Sequence, residues 1–272
     1  RRQNETMQII PLLRMILAVA MIFALSSIPF PDSAYAQSWY IRGQAGYEQS
    51  LDADFSDTNC ASAHPPALFG CAAGPDGRPI GAYGDFGRYP LLEIAAGRTF
   101  LPWLRADLSL AYRFGMDYQG QANFLSVGAV QPVSAKAESF AGLVNLFIDL
   151  NGFFKPGTLG RFSPYVGGGL GLACNRLGEM TFVFPQNPGA HKISIVPAGE
   201  KTDFAFALAV GTGFALTENL ILDIAWRYID LGRVQTDPGG MWMNTLPSGL
   251  AISNIETRLK SHGPSLGLRV HF

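Results

Sequence analysis

Four histidines (His64, His191, His262 and His271) and three cysteines (Cys60, Cys71 and Cys174) are the residues here best suited to proton transfer, nucleophilic attack or metal binding. A hydrolase or acyltransferase needs a histidine within reach of a serine and of an acidic group that orients it. Ser261-His262 near Glu256 is the nearest such set. Neighbours of this kind arise in any polar strand end, so no catalytic residue is assigned. Cys60 and Cys71 flank His64, but two thiols and one imidazole make an incomplete metal set. The chemistry they fit is a disulfide, which closes a short loop and stabilises it by about 3 kcal/mol. No metal or cofactor is expected.

A second polar group is picked out by spacing. In LRADLSLAYRFGMDY (104–118) the even positions are apolar or aromatic, and the odd ones include Asp107 and Arg113. At 100° per residue these charges scatter around a helix; only a period of 2 sorts them. The same sorting recurs in WYIRGQAGYEQS (39–50), FAGLVNLFIDL (140–150), DFAFALAVGTGFAL (203–216) and LILDIAWRY (220–228). It sets Arg42, Arg113, Arg227 and Arg269 together with Glu48, Glu93, Asp107, Asp149 and Asp223 on the face opposite the leucines. If that face met hydrocarbon, each arginine near the midplane would cost about 2–4 kcal/mol, and four would cancel the stability of a typical domain. The charges therefore belong inside and the leucines outside. The near balance of sign fits an ion-pair network filling a narrow lumen; a gated ion path is the alternative. Arg98, of the other parity, is read as snorkelling at the periplasmic rim. Cys174 shares parity with Leu170 and Leu172 and is read as a small lipid-facing residue.

Composition agrees with an apolar surrounding. The 272 residues are only 15% charged with a net charge of −1, against about 25% charged in soluble domains. No excess of either sign points to nucleic acid. Arg14 precedes an apolar run over 15–28, too short to span a bilayer as a helix, and Ala34-Tyr35-Ala36 supplies a small-x-small site. Residues 1–36 are thus expected to be a cleaved signal peptide and 37–272 the folded barrel.

Eight alternating segments follow, at 39–51, 88–100, 104–118, 137–150, 162–184, 202–216, 220–234 and 255–272. Long connections (52–87, 119–136, 185–201, 235–254) alternate with shorter ones, as in a meander with tight turns at one rim and open loops at the other. Aromatics collect at the expected rims: Trp39, Tyr40, Phe100, Trp103, Phe153, Phe154 and Phe272 below, Tyr118, Phe184 and Tyr228 above. The fold expected is all-β, an eight-stranded antiparallel up-and-down transmembrane β-barrel.

The closing residues SLGLRVHF, with Ser265, Gly267, Val270 and Phe272, resemble the polar-x-Gly-x-x-apolar-x-aromatic signal by which outer-membrane barrels reach their assembly machinery. WYIRGQAGY, SPYVGGGLGLA and LDIAWRYIDLG resemble strands of the small eight-stranded OmpA-like and opacity-type outer-membrane proteins. The resemblance covers most of 37–272 and implies the outer membrane of a Gram-negative bacterium, with lipid and lipopolysaccharide around the barrel. It implies no single activity, because the family includes structural barrels, adhesins and a few enzymes. Gly239-Gly240-Met241-Trp242-Met243 reads as an apolar tip of the last external loop, a contact surface for a host or cell-surface ligand. The role expected is structural or surface-interactive; the competing readings are a narrow pore or transporter for small solutes or apolar molecules, and a lipid-modifying enzyme.

Overall fold

The computed structural model describes residues 38–125, 128–154, 158–185, 193–243 and 246–272. The expected leader, 1–36, and His191 lie outside the described residues. Eight antiparallel strands make the wall: β1 (Trp39–Ser50), β2 (Arg88–Leu101), β3 (Leu104–Ala122), β4 (Pro132–Asp149), β5 (Phe162–Leu177), β6 (Gly199–Ala215), β7 (Leu220–Gln235) and β8 (Ile255–His271). Each pairs with its neighbour in sequence. β8 pairs back onto β1, Ile41 facing Val270, so the sheet closes and loses its edges. The start of β1, the C-terminal Phe272, the turns after β2 and β6, and the short 3-10 turn Leu150–Phe153 lie at the periplasmic rim.

The wall inverts the usual order of a water-soluble sheet. Leu92 and Ile94 are 56% and 65% exposed, whereas Glu93 between them is 2% exposed. This alternation, apolar out and polar in, runs around the barrel and forms the belt that meets hydrocarbon.

Beyond the belt the structure departs from expectation in three ways. First, much of the expected loop sequence is strand: β3 runs on to Ala122, β4 begins at Pro132 and β6 at Gly199. Second, 162–184 is not one strand. β5 stops at Leu177, the Gly178 N–H donates to Lys136 O at 2.7 Å, and Met180–Val183 then pairs with β4 and with Ile193–Val196. Gly239–Met243 and Leu246–Ile252 extend that sheet, while Ala82–Asp85 pairs with β3 and Ser56–Asp57 with β8. Third, the even-out register of β3 ends at a bulge between Arg113 and Met116, where Gly115 takes φ 66°. Met116 and Tyr118 turn inward and are fully buried, so Tyr118 is no girdle residue. Gly232, φ 75°, sits in a matching bulge of β7 and carries Val234 inward.

The reason is the change of solvent. The wall above the bulges stands in water, so it reverts to an apolar interior: Phe55, Phe69, Phe86, Tyr118, Met180, Phe182, Ile229, Leu231 and Ile255 pack there. The expectation that ionic groups fill the whole interior holds only for the membrane half.

Candidate functional site

In the membrane half, side chains from seven of the eight strands, Tyr165 of β5 among them, fill the interior with a plug of ion pairs and the rings beside them. Glu48 on β1 accepts two hydrogen bonds from Arg113 on β3, Nε at 2.7 Å and Nη2 at 3.0 Å, and a third from Ser261 Oγ on β8 at 2.9 Å. Arg227 on β7 lies 3.7 Å from Glu48 and donates to Glu93 on β2. Glu93 also pairs with Arg42 at 3.1 Å, and Arg42 pairs with Asp107 at 3.1 Å. Asp107 accepts further bonds from Tyr40 Oη (3.1 Å) and Asn145 Nδ2 (2.7 Å). Towards the periplasm, Arg269 grips Asp223 with two bonds at 3.0 and 3.1 Å, and Arg105 pairs with Asp149 at 3.0 Å. The Arg105 guanidinium lies 4.1 Å from the Phe147 ring centre and 4.6 Å from that of Tyr165.

The arrangement follows from strand parity. Each of these residues occupies an inward position, and a barrel of eight strands brings inward side chains within bonding distance across its axis. Desolvating an ion costs several kcal/mol, and contact of each charged group with its opposite offsets part of it, while Arg42 Nε, Arg113 Nη1 and Arg227 Nε are left without a hydrogen-bond partner among the described residues. A void of about 20 Å³ beside Arg42, Gln44, Asn145, Arg227 and Ser265 has room for one water and no more.

Of the nine residues predicted for the network, Arg42, Glu48, Glu93, Asp107, Arg113 and Arg227 join in one chain of ion pairs, whereas Arg269 and Asp223 pair with each other and Asp149 pairs with Arg105. Arg105 is absent from the predicted set although it shares the parity of Asp107. Tyr40 was expected in the lower girdle, but it points inward because it follows Trp39 by one residue; Trp39, Phe153, Phe154 and Phe272 remain exposed at that rim. Arg98 lies over the Trp39 ring at 5.5 Å. Of the residues read from the sequence as an assembly signal, Ser265 and Gly267 face inward, Val270 and Phe272 outward.

The Ser-His-Glu candidate is not assembled. Ser261 points inward to Glu48, His262 points outward and stacks on Trp226 at 5.6 Å, and Glu256 lies 3.7 Å from Arg233. His271 accompanies Tyr40 at the periplasmic mouth and shares a hydrogen bond with Ser38, 2.9 Å. Cys174 faces outward as expected, yet its thiol donates to Glu200 at 3.2 Å, placing it in a polar rim with Arg176 and Glu138 instead of in hydrocarbon.

The outer half is a cup stapled by its first loop. Cys60 and Cys71 are joined in a disulfide, which leaves neither thiolate for a metal. The Asp57 carboxylate accepts the backbone N–H groups of Leu68, Phe69 and Gly70 at 2.8–2.9 Å. These bonds fold the loop so that Phe69 enters the apolar core as a stopper. Exposed Asp76 accepts from Asn123 Nδ2 at 2.8 Å, and that bond, ahead of its contact with Arg78, draws its carboxyl below the ordinary range. Met241-Trp242-Met243 is not a loop tip but a strand within the cup. Met241 is buried, Met243 half-buried, and Trp242 between them is 44% exposed. Phe184, expected at the bilayer rim, stands in the cup against Phe124.

A closed eight-stranded wall with an apolar belt, an ionic axis and a stapled outer cup defines an integral outer-membrane barrel protein. The chain belongs to the family described as outer membrane protein beta-barrel domain, which matches residues 15–272, and its place is the outer membrane of a Gram-negative bacterium. It is 26% identical to the outer membrane protein PagN of Salmonella typhimurium over 72% of this chain and 75% of that protein. It is 25% identical to a candidate adhesin of Rickettsia prowazekii over 65% of this chain and 72% of that one. The solved structure of the outer membrane protein OprG from Pseudomonas aeruginosa shares the fold, with a TM-score of 0.51 at 16% identity, covering 87% of this chain and 96% of that chain.

Proposed function

We propose that this barrel is a non-catalytic surface-binding protein whose outer cup contacts another cell or a host ligand. The observation that carries the reading is Trp242, 44% exposed on the cup, well beyond the lipid belt, with exposed Ile193 on the strand beside it. Tryptophan in an exposed apolar patch is the residue type that most often anchors an interface. The likeness to a candidate adhesin supports the same reading. The filled lumen speaks against a pore: recordings from refolded protein in planar bilayers are expected to give no stable unitary conductance. The belt takes lipid and lipopolysaccharide, residues 1–36 serve as a cleaved leader, and Ser265, Gly267, Val270 and Phe272 present the chain to the assembly machinery.

The test is adhesion. A non-adherent bacterium displaying this protein should bind host cells, and Trp242→Ser should lower that binding while the folded protein reaches the surface in equal amount. Equal binding by the two would end the proposal.

A further inference from the structure

The cup contains a cavity of about 340 Å³ walled by Phe124, Leu125, Phe182, Phe184, Met241 and Met243, with Ser194 its one polar side chain among the described residues. We infer that this cavity is a binding site for a small apolar molecule, of one or two rings and with at most a single hydrogen-bonding group. The volume lies at the lower end of the range for small-molecule sites. The walls suit such a ligand: Phe182 and Phe184 stand 6.3 and 6.2 Å from Phe124 between ring centres, leaving ring faces and edges to stack upon, and two methionines adjust to irregular shapes. Ser194 allows one hydroxyl or carbonyl to be satisfied and leaves a charged group without a partner.

Position separates this site from the lipid and from the lumen. Phe182 pairs with Val133, above the polar rim of Glu138, Arg176 and Glu200, so acyl chains of the belt do not reach it. Its floor is the packed core around Phe69, which meets the Phe124 ring at 5.5 Å and the Phe182 ring at 6.3 Å, and below that core lies the ionic plug. The cavity is therefore a place of capture and not the mouth of a passage. It also stands apart from the adhesive face, because Met241 and Met243 point into the cup and Trp242 points away from it.

The methionines supply the test. The folded protein in lipid nanodiscs, labelled with ¹³C at the methionine methyls, is titrated with 1-naphthol. Met241 and Met243 should shift and saturate, while Met116 and Met180, buried in the packed core, stay still. Ser194→Phe, which fills the cavity, should abolish saturation while retaining the slow-migrating folded band on unboiled gels. Shifts that rise linearly, that move all four methionines alike, or that persist in Ser194→Phe would assign the effect to lipid partitioning and overturn the site. Met241 and Met243 shifts that follow protein concentration without naphthol would overturn it in favour of contact between copies. None of these outcomes bears on Trp242, so the adhesion reading stands or falls separately.

Discussion

Arg227 shows what a single residue does in this interior. Its guanidinium lies between Glu48 and Glu93, both almost wholly buried. Replacing it by leucine leaves two carboxylates short of a cation in a dry lumen, a loss of about 3–5 kcal/mol. The double change Arg227→Leu with Glu93→Leu should cost less than the single one, because it removes a partner along with the charge; urea unfolding in lipid vesicles measures both. Equal or larger loss in the double variant would mean that the network contributes shape and not charge compensation. Which residues enter the lumen was legible from a period of 2. Which partners they take was not: Arg227 and Glu93 are 134 positions apart and meet only through the stagger of a closed sheet.

At the scale of the element, β3 decides where membrane ends. Its even positions stay apolar from Leu104 to Tyr118, so nothing in the pattern announces the bulge at Gly115. Both solvents accept the same alternation, one with the apolar face out and the other with it in, and only the left-handed backbone at Gly115 switches between them. Gly115→Val forces a β-branched residue into that conformation and should cost about 1–3 kcal/mol. The folded band of this variant should be lost at a lower temperature than that of the parent, whereas an unchanged transition would show that the bulge relaxes elsewhere. The cup strands were illegible for a related reason. They are two to seven residues long, and their alternation is too short to stand out from loop sequence.

For the whole molecule, strand number, the inversion of the lower wall and the alternation of long and short connections were readable, because each is repeated around the barrel. The apolar upper core was not, since sorting by parity says which residues share a face but not which solvent lies beyond it. Unboiled membranes should give a band that migrates differently from the boiled sample, and this difference should survive reduction of the Cys60–Cys71 bond, which braces the cup and not the belt. Loss of the band on reduction would mean that the cup and the membrane wall unfold as one unit.

Gly115 also fixes the waterline. Above it the outward residues of β3 are Asp117, Gln119 and Gln121, so this strand has no spare greasy height to offer a thicker bilayer. Such a bilayer must thin around the protein, and on this side the mismatch is borne by lipid and not by any tilt or rise of the strands.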